Sequence, residues 1–231
     1  MAVTPRPSAT VVLLREANHE PEILFVKRRS GDAFGDSWTF PGGVLDDDEH
    51  VARTCCCGLG ESEANSILDV EEGGLDYFST AARELFEETG VLLVNGAVDP
   101  SFDNARRALI VGDTGWTTFL EANGLTVACD ALHYFSHWIT PTVMPKRWTT
   151  RFFLAELPPG QEVEPDGIEV TESIWLTADK ALGHARDGHG KLPYPTRKTL
   201  ESFAGLNSIQ DYRNWARQRQ AEGVAAIQPE M

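Results

Sequence analysis

Three glutamates close together in the sequence are the residues best suited to chemistry. Glu84, Glu87 and Glu88 stand at positions i, i+3 and i+4, so on a helix their carboxylates project from neighbouring positions on one face. Like charges at this spacing repel by roughly a few tenths of a kcal/mol per pair, so the isolated helix gains nothing from them. A bound Mg²⁺ would reverse that sign, because it prefers oxygen ligands and keeps waters that a phosphate can displace. The spacing therefore indicates a site for a hard divalent cation.

The residues around these glutamates favour a helix with one buried face. Apolar residues recur at i, i+3, i+4 and i+7, the period of a core-facing helical stripe; they are Phe78, Ala81, Ala82 and Leu85. Arg83 precedes Glu87 by four residues, the spacing of a helical ion pair, and Gly90 suits the position that ends a helix. We predict a short amphipathic helix that begins near Asp76 or Ser79. For the glutamates alone, a solvated acidic face without chemistry is the alternative.

A glycine loop precedes this helix. Phe40-Pro41-Gly42-Gly43 is followed after five residues by Glu49, and glycines permit close backbone approaches that other residues resist. Together with residues 83–91, this loop resembles the signature of the Nudix hydrolase superfamily, Gly-x5-Glu-x7-Arg-Glu-U-x-Glu-Glu-x-Gly-U, in which U is a bulky aliphatic residue. Thirty-three residues separate Glu49 from Arg83, where the usual pattern has seven.

The extra residues predict an insertion inside the signature. Residues 50–75 are rich in Gly, Ser, Cys and acidic groups and lack a long apolar period, which predicts a surface excursion. A subgroup of the superfamily carries such an insertion and includes diphosphatases acting on coenzyme A and acyl-coenzyme A. Residues 34–43, 137–141 and 150–153 also resemble that subgroup. The resemblance extends, with gaps, from about residue 11 to residue 206.

The order of predicted elements mixes strands with helices. Aromatic and β-branched content predicts strands at 10–15, 23–27, 90–94, 134–139, 151–156 and 172–176. Helices are predicted over most of 101–132 and at 178–186, 195–204 and 209–220. Periodicity alone indicates an α/β or α+β protein, and the resemblance implies a Nudix-type α/β/α sandwich with a mixed sheet. We expect one Nudix hydrolase domain over residues 1–231, with the insertion at about 50–75 and helical elaborations at about 101–132 and 195–220.

Composition fits a compact cytoplasmic enzyme. A chain of 231 residues with 42% hydrophobic content can bury a substantial core. The sequence shows no secretory segment at its start and no run of about eighteen apolar residues, so we expect a cytoplasmic protein with no membrane partner. The formal charge of −15 argues against a protein that binds nucleic acid. Dimers are frequent in the superfamily, which leaves a homodimer open.

The resemblance also implies roles for individual residues. Glu84, Glu87 and Glu88 match the superfamily's metal-binding glutamates, and each is a candidate for the base. Arg83 matches the arginine that orients a glutamate through a salt bridge. The implied cofactor is Mg²⁺ or Mn²⁺. Glu49 matches the earlier signature glutamate, and two later glutamates lead into a strand where family members often place one more ligand or base. The candidates for a further ligand or base are Glu49, Glu169 and Glu172.

Several glycines and arginines are candidates for binding substrate. Lys146, Arg147 and Arg151 form the nearest approach to a basic cluster in an acidic chain, and such a cluster can steer a phosphate. Exposed cations without that role have the same sequence appearance. The candidate substrate-binding residues are Arg29, Gly42, Gly43, Arg147 and Arg151.

The expected reaction is metal-dependent hydrolysis of the diphosphate bond in a nucleoside diphosphate linked to another moiety. Coenzyme A or acyl-coenzyme A is the leading substrate. Arg29-Ser30 matches the start of a pattern typical of coenzyme A members, but Asp32 and Phe34 stand where a second arginine is expected. ADP-ribose, dinucleotides and nucleotide sugars are the alternative substrates. A non-catalytic Nudix-like sensor of a nucleotide ligand is the alternative of a different class.

The cysteines do not follow a metal-site pattern. Cys55, Cys56 and Cys57 are consecutive, which excludes the usual spacing of zinc ligands, and Cys129 alone does not supply it. We expect unpaired thiols in a reducing compartment, with a redox or metal role as the alternative.

Overall fold

A computed structural model describes residues 3–29, 36–99 and 102–230 of the chain. Among these residues the strands are β1 (Arg6–Ala17), β2 (Glu20–Arg28), β3 (Trp38–Thr39), β4 (Gly42–Val44), β5 (Cys56–Cys57), β6 (Val94–Asn95), β7 (Thr126–Ala128), β8 (His133–Ile139), β9 (Trp148–Glu156), β10 (Val170–Leu176) and β11 (Ala226–Ile227). The helices are α1 (Glu49–Ala52), α2 (Glu61–Leu68), α3 (Gly74–Thr89), α4 (Phe102–Ile110), α5 (Trp116–Asn123), α6 (Ala178–Arg186), α7 (Tyr194–Ser202) and α8 (Ile209–Glu222). The pattern at Ser30, Asp32 and Phe34 and the first residue of the predicted helical region, Ser101, lie outside the described residues.

A mixed sheet forms the centre of the molecule, in the order β10-β2-β1-β9-β8-β11. The long pairing of β1 with β9 is parallel, whereas β1 with β2, β2 with β10 and β8 with β9 are antiparallel. The short β4 also pairs with the beginning of β1, with Ser8 opposite Val44 and Thr10 opposite Gly42. This pairing fixes the glycine loop to a central strand.

Alternate residues of β1 face two separate cores. Val11 and Leu13 lie in the core that contains α3, and Val12 and Leu14 lie in the core that contains α6, α7 and α8. Successive side chains of a strand point to opposite faces of the sheet, so helices must cover both faces. The result is the predicted sandwich of helices on a mixed sheet. None of the helices in the described part of the chain has the length and apolar character needed to cross a membrane.

The insertion is not the surface excursion that its composition suggested. It contains α1, a 3₁₀ turn at Arg53–Cys55, β5 and α2. Ala52, Cys55, Ala64 and Leu68 are buried in the same core as α3. The expectation was wrong because each short element contributes only one or two apolar residues, so no long apolar period exists to be detected.

Three other segments differ from expectation. Helix α3 begins at Gly74, where an added Cβ atom would lie 2.6 Å from the backbone carbon of Ala64, so close packing on α2 sets the start. The strand predicted at 90–94 is limited to Val94 and Asn95. The region predicted to be mainly helical, 101–132, contains α4 and α5 as expected and also the strand β7, which was not predicted. Helix α6 has the predicted bounds.

Candidate active site

Arg83 is the hub of a buried ion-pair network at the N-terminal side of the glutamates. Its Nε donates to Glu49 Oε1 at 2.6 Å and its Nη2 donates to the carbonyl of Val44 at 3.0 Å. Its Nη1 lies 3.0 Å from Glu84 Oε1 and donates to Glu87 Oε2 at 3.3 Å. Glu49 is fully buried. One guanidinium therefore joins α1, α3 and the glycine strand β4.

A second arginine holds the remaining glutamate of the helix. Arg28 Nη2 lies 2.6 Å from Glu88 Oε1, and the amide of Gly42 donates to Glu88 Oε2 at 3.1 Å. Arg28 also donates to the carbonyl of Gly42, and its Nη1 lies 4.0 Å from Glu169 Oε2. The candidates named from the sequence included Arg29 but not Arg28. Strand alternation was the available signal. Arg28 follows Leu24 and Val26 at every second position, so it lies on the same face of the strand as these core residues, which face α3.

The two glycines of the loop are in close contact with their surroundings. Gly42 has φ +153°, and an added Cβ atom would lie 2.3 Å from the carbonyl oxygen of Ala9. A Cβ atom at Gly43 would lie 2.3 to 2.5 Å from the carboxylate atoms of Glu84. The Gly43 backbone therefore forms a cradle that the Glu84 carboxylate fills, and a side chain at this position would displace that carboxylate.

Burial raises the carboxyl pKa values in this cluster. It raises the pKa of Glu87 to about 7 and that of Glu88 to about 8, against the opposing effects of Arg83 on Glu87 and Arg28 on Glu88. The pKa of Glu84 is also raised by burial. These carboxylates bind protons near neutral pH because burial removes their hydration and the arginines compensate for that loss only in part.

The charge balance of the cluster also favours a cation. The glutamates Glu49, Glu84, Glu87 and Glu88 carry four negative charges when ionised, and the two arginines that bind them carry two positive charges. Four minus two leaves an excess of two negative charges. Carboxylate oxygens are the ligands that Mg²⁺ and Mn²⁺ prefer, so the donor set and the charge excess fit one divalent cation.

The carboxylates are nevertheless not arranged around a common point. Within residues 3–29, 36–99 and 102–230, no group of three or more His, Cys, Asp or Glu side chains is placed to hold a metal ion. The ion pairs account for this arrangement, because Arg83 attracts Glu84 and Glu87 while Arg28 attracts Glu88. The carboxylates are therefore chemically suited to bind a cation, but their oxygen atoms are paired with the arginines.

Comparison with known proteins agrees with this geometry. The NUDIX domain family matches residues 4–56, which include the glycine loop and Glu49. The putative nudix hydrolase 7 of Caenorhabditis elegans is 27% identical over 212 residues, covering 90% of this chain and 62% of that protein. The chain therefore resembles Nudix hydrolases, with the NUDIX domain match confined to residues 4–56. The acyl-coenzyme A diphosphatase NUDT19 of Xenopus laevis is 23% identical over 251 residues, covering 90% of this chain and 66% of that protein.

The fold of this chain is also found in a solved structure. The crystal structure of a NUDIX hydrolase from Alicyclobacillus acidocaldarius superposes with a TM-score of 0.73 at 24% identity, covering 90% of this chain and 95% of that one. The predicted Nudix fold is confirmed. The chain spans slightly less than two thirds of the length of the Caenorhabditis and Xenopus relatives.

Two of the candidate glutamates in the second half of the chain lie on different sides of the sheet. Glu169, just before β10, is 61% exposed and stands at the edge of the site near Arg28. Glu172 binds Lys27 at 2.7 Å, and Lys27 also lies over the ring of Trp38. Since Lys27 and Arg28 are adjacent residues of one strand, they face opposite sides. The structure therefore brings Glu169 to the α3 glutamates and leaves Glu172 away from them.

The arginines proposed to bind substrate are placed differently from one another. Arg29 is exposed and donates to the carbonyl of Gly167 at 3.3 Å, in the turn that leads to Glu169. Arg147 is buried and donates to the carbonyls of Thr140 and Val3 at 3.0 and 2.7 Å. These contacts put Arg29 at the margin of the site and make Arg147 a brace between the β8–β9 turn and the beginning of the described chain.

Arg151 is buried on the α3 side of the sheet. Its Nη2 donates to the carbonyl of Leu68 at 3.2 Å, and its guanidinium lies 4.1 Å from the centroid of the Tyr77 ring. Among the described residues, Arg151 makes no hydrogen bond to a glutamate. The two arginines of the basic cluster seen in the sequence therefore hold separate parts of the fold.

Proposed function

We propose that this chain is a divalent-metal-dependent hydrolase that cleaves the diphosphate bond of coenzyme A or an acyl-coenzyme A. The observation that carries the proposal is the uncompensated cluster of glutamates on α1 and α3, packed against the backbone of Gly42 and Gly43. A diphosphate needs its oxygen charge neutralised and a water positioned for attack. An oxygen-rich site with two excess negative charges supports recruitment of a cation for that purpose.

Glu84, Glu87 and Glu88 are the residues that would hold Mg²⁺ or Mn²⁺. When bound, such a cation neutralises charge on phosphate oxygens and lowers the pKa of a coordinated water. These carboxylates would exchange contacts with Arg83 and Arg28 for contacts with the metal. The arginines would then hold Glu49 and Glu169 close to the site, and these two residues are the candidates for a further ligand or for the base.

In the proposed reaction one protein group acts as the base that activates water. The base accepts a proton from water, the water oxygen forms a bond to one phosphorus, and the bond from that phosphorus to the bridging oxygen breaks. Coenzyme A would yield adenosine 3′,5′-bisphosphate and 4′-phosphopantetheine, and an acyl-coenzyme A would yield the acylated form of the latter. Glu169 suits the role of base because it is exposed to water at the edge of the site.

The substrate assignment rests on two kinds of support. The Xenopus relative is named as an acyl-coenzyme A diphosphatase. The chain also has the insertion between Glu49 and Arg83 that the coenzyme A subgroup is expected to carry, and this insertion is folded onto the core beside α3. A cytoplasmic location and a homodimer stay predictions of the sequence.

A substrate panel tests the proposal. The purified chain is incubated with coenzyme A, an acyl-coenzyme A, ADP-ribose, a dinucleotide and a nucleotide sugar, with Mg²⁺ or Mn²⁺ and with a chelator as the control. Release of phosphate monoesters is followed by liquid chromatography. We expect the highest kcat/KM for coenzyme A or its acyl form, and no turnover with the chelator. A higher kcat/KM for another compound would overturn the substrate assignment, and no metal-dependent cleavage by folded protein would overturn the hydrolase.

A further inference from the structure

A buried arginine outside the Nudix signature joins the end of α3 to the segment between β9 and β10. Arg106, on α4, is 6% exposed. Its Nε donates to the backbone carbonyl of Glu87 at 3.0 Å and its Nη2 donates to the backbone carbonyl of Glu164 at 2.8 Å. One side chain therefore bridges the last turn of the helix that carries the glutamates and the acidic loop 157–169.

The end of α3 is a suitable place for a cation. The last carbonyls of a helix have no partner within the helix and carry partial negative charge, so a guanidinium there satisfies an acceptor and opposes that charge. Gly90 ends the helix with φ +78°, and a Cβ atom there would lie 3.3 Å from Arg106 Nη1. Burial lowers the pKa of Arg106, while the nearby carboxylates of Asp166 and Glu164 oppose that shift. The site thus accommodates a buried guanidinium that binds two backbone segments.

Further hydrogen bonds fix the acidic loop to the same region. The amide of Glu164 donates to the carbonyl of Thr89 at 2.8 Å. The side-chain amide of Gln161 both donates to and accepts from the backbone of Leu92, at 2.8 Å in each case. Asp166 Oδ1 accepts from the amide of Glu169 at 2.7 Å. The loop therefore has a defined path from the end of α3 to Glu169.

That path ends beside the site. The carbonyl of Glu169 accepts from the amide of Arg29 at 2.9 Å, and its carboxylate is 4.0 Å from Arg28, which binds Glu88. We propose that Arg106 is a positioning residue: by tying the acidic loop to the end of α3, it sets where Glu169 stands relative to the α3 glutamates. This inference rests on the proposed function for its effect on catalysis, and on the hydrogen bonds alone for its effect on the loop.

Two variants and a neighbouring control test the proposal. Arg106→Gln removes the charge and shortens the side chain, and Arg106→Lys keeps the charge but cannot make both hydrogen bonds in the same geometry. Arg107→Gln changes the adjacent, exposed arginine of α4 and is the matched control. Hydrogen exchange of peptides covering 157–170 reports the loop directly, and kcat and KM for the preferred diphosphate report the site.

For Arg106→Gln we expect faster exchange in the loop and a kcat lower by about 10- to 100-fold, with KM within about threefold, because a displacement of about 1 Å at a reacting group has an effect of that size. Arg106→Lys should lie between this variant and wild type, and it carries the comparison if Arg106→Gln does not fold. Arg107→Gln should match wild type in both measurements.

Unchanged loop exchange in a folded Arg106 variant would overturn the proposal. Faster exchange with unchanged kcat would overturn it as well, because the contact would then stabilise the loop without positioning a group in the site. A wild-type protein that cleaves no diphosphate would refute the proposed function and the effect on catalysis, and the exchange data would still decide whether Arg106 holds the loop.

Discussion

Replacing Gly43 with alanine tests whether the Glu84 carboxylate must occupy the place that the structure gives it. The added Cβ atom would lie 2.3 Å from Glu84 Oε1, whereas ordinary van der Waals contact begins at 3.4 Å. The carboxylate must therefore move by about 1 Å. Because it is the end of a flexible side chain, this movement should cost little folding free energy. A displacement of about 1 Å in a catalytic group can lower turnover by about 100-fold.

The matched control is alanine at the adjacent glycine. At Gly42 the new Cβ atom would meet the carbonyl oxygen of Ala9 at 2.3 Å, and the backbone has φ +153°. Neither conflict can be relieved by a side-chain movement, so we expect Gly42→Ala to lower the free energy of unfolding by at least about 2 kcal/mol. Gly43→Ala should change that free energy by less than about 1 kcal/mol.

Urea unfolding, calorimetric titration with Mn²⁺ and kcat/KM for the preferred diphosphate measure these effects. We expect Gly43→Ala to fold nearly as stably as wild type while its Mn²⁺ affinity and kcat/KM fall together. Wild-type affinity and kcat/KM in Gly43→Ala would refute the reasoning, because they would show that the position of the Glu84 carboxylate does not matter.

Three further predictions follow from the buried charges and the insertion. Since the pKa of Glu87 is raised to about 7 and that of Glu88 to about 8, the folded metal-free protein binds more protons than the unfolded chain between about pH 5 and 8. Its free energy of unfolding should therefore fall as pH rises through that range, while the apparent Mg²⁺ affinity should rise. Thermal shift with and without Mg²⁺ at each pH measures both effects. A pH-independent Mg²⁺ affinity would contradict this. Arg83→Met should lower the free energy of unfolding by roughly 3–5 kcal/mol, because fully buried Glu49 loses its partner; a loss below about 1 kcal/mol in urea unfolding would count against the ion-pair hub. Leu68→Ala should lower the free energy of unfolding by about 2–5 kcal/mol because the insertion belongs to the core. A negligible change in the urea midpoint would show that the insertion contributes little to the core.

The helix and its local contacts were accessible from sequence because they depend on spacing. The four-residue separation of Arg83 and Glu87 predicted the ion pair that the structure contains at 3.3 Å. The apolar stripe predicted the buried face of α3, and Phe78 and Leu85 lie in the core as expected. These features require only the period of a helix.

The contacts that complete the site depend on long-range packing. Glu49 and Arg83 are brought to 2.6 Å by an insertion whose short elements give no periodic signal. Arg28 is the last residue of β2 and binds Glu88, whereas Arg29 follows the strand and binds the carbonyl of Gly167. Arg106 was not identified from the sequence either, because its partners are backbone carbonyls from two distant segments.

The role of the α3 glutamates in metal-dependent catalysis is tested by the initial rate of coenzyme A hydrolysis as a function of Mg²⁺ concentration, in wild type, Glu88→Gln and Glu121→Gln. Glu88 is buried between Arg28 and Gly42, and Glu121 is an exposed glutamate on α5. We expect Mg²⁺-dependent turnover in wild type and Glu121→Gln, and a loss of at least about 100-fold in folded Glu88→Gln. Equal turnover in all three proteins would contradict the assignment of the α3 glutamates to the metal.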